Sequence, residues 1–270
     1  MVVQLRPKTE SSPVITWESL PNDYRLPDDP VENIQQPKLA AALLDALGEA
    51  DRVQPDMLIG SNFALVATLN KTTVVKAPDW FYVPHVHAIA PDTIRRSYTP
   101  NLEGDPVAVV MEFLSAEDNG ELSMRSTPPY GKLYFYEQIL KVPTYVTYDP
   151  YGPTLQVRTL EADRYILQQP DVNGRFWIAE LQLFLGIWEG DRLGQRTHWL
   201  RWWDEAGDLL LWSSERVIQE RQIAEQERQI AERERQIAEQ ERQVAEQERQ
   251  RSSILEAKLR ELGIDPEQLS

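Results

Sequence analysis

Hydrophobic and polar positions divide this chain of 270 residues into a polar start, a patterned body and a long charged end. The start is rich in proline and polar residues, which predicts an extended lead-in lying against the body. Leu39, Leu43, Leu44 and Leu47 then follow the helical period, so we expect an amphipathic helix that ends at Gly48. The predicted units are a lead-in at 1–37, a folded domain at 38–213, a charged helix at 214–262 and a tail at 263–270.

Short runs of β-branched and aromatic residues follow the first helix and predict strands. The runs are Phe63–Leu69, Trp80–Val83, Val107–Leu114, Tyr145–Tyr148, Leu155–Leu160 and Tyr165–Gln168. Aromatic-rich hairpins are expected over Phe176–Trp188 and Trp199–Trp212, with their tryptophans in the core, and a second helix over Tyr130–Lys141. Helix, strands, helix and further strands are the order of an α+β fold.

Four consecutive heptads, RQIAEQE, RQIAERE, RQIAEQE and RQVAEQE, run from Arg221 to Glu248. Arginine and glutamate recur three and four residues apart, a spacing that stabilises a helix through side-chain pairs. Glycine and proline are absent from Glu215 to Leu262, and the residues there are strong helix formers. We therefore expect one helix of roughly 70 Å, too long to fold back inside the body.

Whether this helix pairs with another stays open at the level of sequence. Each heptad supplies one apolar residue at the a position: Ile223, Ile230, Ile237 and Val244. The d positions are polar: Gln226, Arg233, Gln240 and Gln247. Coiled coils prefer apolar residues at both positions. The pattern is thus consistent with a weak homodimer, with a helical protein partner or with a solvated single helix.

Composition excludes several classes of function. Without cysteine the chain has no disulfides, thiolate metal sites or cysteine nucleophile. Most of the net charge of −15 lies in residues 1–214, which argues against nucleic-acid binding through a broad basic surface. Since no apolar run approaches the roughly 18 residues that span a bilayer, we expect a cytoplasmic protein with no membrane partner.

The strand predicted at Val107–Leu114 contains one ionisable residue, Glu112. A buried carboxylate needs a partner, which can be a cation, a basic side chain in a structural salt bridge, or water if the strand ends at the surface. Asp79 follows Pro78 just before another strand, and Lys132 borders the buried face of the second helix. Two carboxylates and a lysine are the groups that hold a divalent cation and activate water for phosphodiester hydrolysis.

Four stretches of the chain resemble the Uma2-like family, a group of the PD-(D/E)XK nuclease superfamily common in cyanobacteria and described as restriction endonucleases. They are Pro78-Asp79, Val109–Ser115, Lys132 with Tyr136, and Val142–Pro150. The resemblance implies an α+β fold with a nuclease-like core, a mixed sheet flanked by helices, to which this chain adds β-hairpins and the long C-terminal helix. Two departures are a longer segment at 116–129 and Thr144-Tyr145-Val146 in place of the common EYW.

By this resemblance Asp79 and Glu112 are metal ligands for Mg²⁺ or Mn²⁺ and Lys132 is the catalytic lysine. Leu114 stands where an E-x-K motif has its lysine, so Lys132 must reach the site from the neighbouring helix. Glu32 matches a glutamate that would face the same metal. The expected function is a metal-dependent DNA endonuclease; the alternative is a catalytically inactive nuclease-fold module that assembles with other proteins through residues 214–262.

Overall fold

The computed structural model describes residues 33–69, 72–90, 92, 94–115, 122–127, 129–261 and 263. Its helices are α1 (Gln35–Glu49), α2 (Lys132–Tyr134), which continues as a π-helical turn over Phe135–Ile139, and α3 (Ser213–Glu261). Its strands are β1 (Leu58–Gly60), β2 (Ala64–Leu69), β3 (Thr72–Lys76), β4 (Trp80–Val83), β5 (Ser97–Tyr98), β6 (Val109–Phe113), β7 (Thr144–Asp149), β8 (Thr154–Glu161), β9 (Arg164–Leu167), β10 (Phe176–Ile178), β11 (Leu183–Arg192) and β12 (Gln195–Trp203).

The central sheet has six strands in the order β1-β4-β6-β7-β8-β9. β6 and β7 are parallel, because the chain crosses over through α2 between them, whereas the other neighbours are antiparallel. All five residues of β6 are buried, as expected of a strand covered on both faces. The mixed sheet flanked by helices confirms the predicted α+β class.

The two faces of this sheet belong to different hydrophobic clusters. On one face, Val109 and Met111 pack with residues of α1 and of the sheet β10-β11-β12. On the other, Val110 packs with Tyr136 and Tyr145. Because side chains alternate along a strand, Glu112 points to the same face as Val110, beneath α2. The register of β6 therefore decides which layer receives the carboxylate.

The predicted tryptophan core is present. Trp199, Trp202 and Trp212 are each at most 1% exposed. The indole N–H groups of Trp202 and Trp212 donate to the carbonyls of Leu43 and Ala42 in α1, at 3.2 and 3.0 Å. The segment expected as a second hairpin differs, because β12 pairs with β11 along its whole length and is followed only by a single bridge between Trp203 and Leu209.

A buried arginine joins α3 to the body. Arg201 is fully buried and forms two hydrogen bonds with the carboxylate of Glu215, at 2.6 and 3.0 Å. Its guanidinium lies 3.4 Å from the centroid of the Trp212 ring and donates to the carbonyl of Leu210. Arg216 in the same helical turn pairs with Glu49 of α1. The first turn of α3 is therefore fixed to the body, and the helix has no buried residue.

We expect Arg201→Met to lower the free energy of unfolding by about 3 kcal/mol, because it removes one partner of a buried ion pair. Urea unfolding followed by tryptophan fluorescence measures this change. Arg196→Met is the matched control, since Arg196 lies on the same strand in an exposed pair with Glu189, and should change stability by less than about 0.5 kcal/mol. Equal stabilities of the two variants would show that α3 is not held by this pair.

Candidate active site

Glu112 is the centre of the site. Its carboxylate is fully buried at the penultimate position of β6. Lys132 Nζ lies 3.0 Å from Oε2, and the hydroxyl of Tyr136 donates to Oε1 at 2.9 Å. The two oxygens thus have separate partners, and the predicted need of a buried carboxylate for a cation is met in part by Lys132.

Lys132 and Tyr136 reach Glu112 because they are four residues apart, at the start of α2 and in the π-helical turn. The helix begins at Gly131, where a Cβ atom would lie only 2.0 Å from the carbonyl oxygen of Ser123. That carbonyl accepts a hydrogen bond from the N–H of Tyr134. Glycine at 131 therefore lets the preceding backbone cover the start of the helix and so sets the position of Lys132.

Asp79 lies beside Glu112. The pairing of Trp80 with Met111 continues by one residue, so that Asp79 comes opposite Glu112 across β4 and β6. Its Oδ2 accepts a hydrogen bond from the N–H of Phe113. Three residues distant in sequence, Asp79, Glu112 and Lys132, are thus brought together at the end of β6.

The pKa of Glu112 is raised to about 8, chiefly by burial and also by the negative charge of Asp79, against the opposing effects of Lys132 and Tyr136. Burial and Glu112 also raise the pKa of Tyr136, so its hydroxyl stays a hydrogen-bond donor. An additional positive charge at this position would stabilise both carboxylates.

The donor set fits a hard divalent cation. Asp79 and Glu112 offer carboxylate oxygens, and Mg²⁺ is commonly held by one or two carboxylates with several waters. No cluster of three or more His, Cys, Asp or Glu side chains suited to a metal occurs within the described residues. Glu32, the further ligand predicted from sequence, lies outside them.

Two residues of the site were not predicted. Gln36 is buried in the first turn of α1, and its amide donates to the carbonyl of Phe113 at 2.6 Å. In the sequence, the burial of Gln36 is indicated only by its position three residues before Leu39, on the same face of the helix. Lys76 is the last residue of β3. Burial and the positive charge of Lys132 lower the pKa of Lys76, whereas the negative charge of Glu112 raises it, so Lys76 lies near both Lys132 and Glu112. The only feature of the sequence that connects Lys76 with the site is its position three residues before Asp79.

Two further polar side chains of the body, His85 and Arg95, have partners of their own. His85 is exposed, and its ring bonds to Asp105 at 2.9 Å, which raises the pKa of the imidazole. Arg95 pairs with Glu103 and lies over the ring of Tyr98. Both residues are explained by these surface contacts, and neither is part of the Glu112 site.

A comparison with sequence models of known protein families identifies the family of this chain. The sequence model of the Uma2 family, described as "Putative restriction endonuclease", matches residues 27–193, more than half of the chain. This chain belongs to the Uma2 family. The matched segment contains Asp79, Glu112 and Lys132 and ends before β12 and α3. A search of curated proteins gives no match.

Membership of Uma2 accounts for the fold and supports a nuclease-like function. The family has a PD-(D/E)XK-like fold, and such nucleases generally use Mg²⁺ or Mn²⁺. In this Uma2 chain the sheet carries the buried glutamate at the end of its central parallel pair. Within the described residues no helix has the length and apolar character needed to cross a membrane.

The raised pKa of Glu112 predicts a pH-dependent loss of stability in the metal-free protein. The unfolded chain ionises this carboxyl near pH 4.5 and the folded protein only near pH 8. Between these values the unfolded state binds fewer protons, so the stability of the wild type falls as the pH rises. Glu112→Gln removes this dependence. We expect the difference in Tm, variant minus wild type, to increase by several degrees between pH 5 and pH 8 in EDTA.

Exposed Glu189 provides the control, because Glu189→Gln should show a difference in Tm that does not change with pH. Differential scanning calorimetry at four pH values measures both variants. A difference for Glu112→Gln that stays constant or decreases with pH would contradict the raised pKa.

Proposed function

We propose that this Uma2 protein is a metal-dependent DNA endonuclease that hydrolyses phosphodiester bonds. The observation that supports the proposal most is the meeting of Asp79, Glu112 and Lys132, with Lys132 Nζ 3.0 Å from the Glu112 carboxylate. The position at the carboxyl end of the parallel strands β6 and β7 is where open sheets bind their ligands. DNA is the substrate that the family description suggests.

Asp79 and Glu112 would hold Mg²⁺ or Mn²⁺, and Glu32 is proposed as a third carboxylate. Such a cation supplies a Lewis acid for the phosphate and a bound water with lowered pKa. Tyr136 orients Glu112 by donating to Oε1, and Gln36 fixes the adjacent carbonyl of Phe113. The side chains thus hold the site in one geometry before substrate binds, as preorganised catalysis requires.

Lys132 is proposed to act on the attacking water and on the phosphate. Its ammonium donates to Glu112. In the proposed mechanism its N–H groups orient the attacking water, and its positive charge stabilises the negative charge that develops on the phosphate oxygens. The side chain is 24% exposed, so it is accessible to a substrate while its charge is little screened.

Asp79→Asn and Lys132→Met are expected to reduce hydrolysis of plasmid and single-stranded DNA by at least about 10²-fold with Mg²⁺ or Mn²⁺. Lys141→Met is the matched control, because Lys141 pairs with Asp163 on the surface, and should retain wild-type activity. Gel assays over a range of protein concentrations measure the rates. The proposal would be contradicted if the wild type and Asp79→Asn were equally inactive with both metals.

The inactive nuclease-fold module remains the second candidate, and a melting experiment separates the two. A cation bound only by the folded state raises Tm by mass action. We expect Mn²⁺ to raise the Tm of the wild type and not that of Asp79→Asn. Absence of a shift in the wild type would favour a module that acts through assembly.

We also propose that α3 forms a parallel homodimer. Its repeated apolar residues, Ile223, Ile230, Ile237 and Val244, are 48–57% exposed. In the same register each heptad from residue 223 has glutamate at position e and is preceded by glutamine at g. Antiparallel pairing places e against e, so that glutamate faces glutamate, whereas parallel pairing places each glutamate beside a glutamine. Charge therefore favours the parallel arrangement, which puts both bodies at one end and two sites near one duplex.

The absence of cysteine permits a direct test of orientation. In a parallel, in-register dimer, single variants Ile223→Cys and Val244→Cys should each form a disulfide with their own copy under mild oxidation. In an antiparallel dimer each a position lies against a d position of the other copy, so neither single variant would form this disulfide. Ala231→Cys, at the outward b position, should stay unlinked. Light scattering that gives a monomer at every protein concentration would contradict the homodimer and leave the helix to another partner.

A further inference from the structure

The face of the sheet that carries Glu112 continues as a polar row across two more strands. Glu112 pairs with Thr147 of β7, and Thr147 pairs with Gln156 of β8. One step back along the same face, Val110 pairs with the buried Tyr145 in the cluster beneath α2. The surface therefore changes from apolar to polar at Glu112, and the polar part extends towards β8.

Arg158 lies on this face of β8, two residues after Gln156. Its guanidinium donates to the hydroxyl of Thr147 at 3.2 Å and to the side-chain oxygen of Gln156 at 2.7 Å. Burial lowers its pKa, and no carboxylate of the described residues forms an ion pair with it. A guanidinium has five N–H donors, so the two hydrogen bonds leave others available for a ligand.

Lys76 lies at the end of β3, three residues before Asp79. It is half-buried and near Lys132 and Glu112. It forms neither a hydrogen bond nor an ion pair with any described residue. Lys76 and Arg158 are thus two partly desolvated cations, one at the end of β3 near Glu112 and one on β8 in contact with Thr147.

Cations in this state are unusual in so acidic a protein, whose net charge is −15. Three other arginines of the body that are at least partly buried are paired with a carboxylate, Arg95 with Glu103, Arg192 with Asp45 and Arg201 with Glu215, whereas Arg175 donates to the carbonyl of Gly207 and lies over the ring of Trp203. Burying a cation without an anion is unfavourable, so an unpaired position next to a candidate active site indicates that a ligand supplies the anion.

We propose that Arg158 and Lys76 bind phosphate groups of the DNA backbone next to the phosphate held at Glu112. This inference rests on the proposed function. The guanidinium of Arg158 contacts Thr147, which pairs with Glu112, so it lies one to two strand spacings, about 5–10 Å, from the centre of the site. That is the span of a few nucleotides, since a DNA strand advances about 3.4 Å per nucleotide along its axis.

The geometry of the two residues suits this role. Thr147 and Gln156 hold the fork of Arg158, and an arginine fixed in this way can donate two parallel hydrogen bonds to a phosphate. Lys76 provides a point charge that can follow a mobile backbone. Local cations of this kind allow phosphate binding without a broad basic surface. The net charge of −15 argues against such a surface in this chain.

The test measures DNA binding by the full chain in EDTA, where metal-dependent hydrolysis cannot occur. Fluorescence anisotropy of a labelled duplex is followed from low to moderate salt for the wild type, Arg158→Gln, Lys76→Gln and the double variant. Each single change should weaken binding by about tenfold and lower the slope of log K against log salt by about one. The double variant should lower the slope by about two.

Arg196→Gln is the matched control, because Arg196 is exposed on the other sheet, and it should bind as the wild type does. Arg158→Lys keeps the charge without the fork, so we expect the wild-type salt slope with weaker binding. If Arg158→Gln fails to fold, Arg158→Lys and Lys76→Gln still test the inference. Wild-type affinity and salt slope in Arg158→Gln and Lys76→Gln would overturn the inference, as would absence of duplex binding by the wild type.

The outcome for hydrolysis is separate. If the wild type cleaves DNA with Mg²⁺ but the substitutions leave binding unchanged, the proposed function stands and the phosphate positions are wrong. If the variants lose binding as expected while the wild type cleaves nothing with either metal, the phosphate positions stand and the endonuclease proposal fails.

Discussion

The burial of one carboxylate, that of Glu112, constrains the structure around it. A glutamate at the end of an apolar strand is tolerated only if the neighbouring elements supply charge and hydrogen bonds. α2 provides Lys132 and Tyr136 for this purpose, and the turn before β4 adds Asp79 beside them. Burial keeps the pKa of Glu112 raised, and the negative charge of Asp79 adds to this effect, so a further positive charge at the site would stabilise the ionised carboxylate.

The buried carboxylate links the stability of the fold to its proposed chemistry. A core arranged only for stability would replace Glu112 by an apolar or neutral residue, since a desolvated carboxylate is unfavourable. Lys76 and Arg158, which form no ion pair within the described residues, are likewise partly desolvated charges that do not favour folding. In the proposed function a bound divalent cation stabilises the carboxylates and a bound phosphate ester stabilises Lys76 and Arg158, so ligand binding would offset the cost of burying these charges.

The chain also joins a body to a long helix through a desolvated ion pair. Arg201 and Glu215 fix the first turn of α3, with Trp212 against the guanidinium. The helix then has no buried residue, so its exposed isoleucines depend on another chain for burial. If two copies pair in parallel, this fixed turn would hold the two sites in a defined relation.

Elements with strong local patterns, and the residues that interrupt those patterns, could be predicted from the amino-acid sequence alone. α3 follows from its heptads, β6 from its apolar run, and Glu112 is visible as the single charge within that run. Family resemblance selected Asp79 and Lys132. Gln36, Lys76, Arg158 and the pairing of β12 with β11 came only from the tertiary structure, because each depends on contacts between distant segments. A local pattern shows which face of an element is buried but not which partner meets it there.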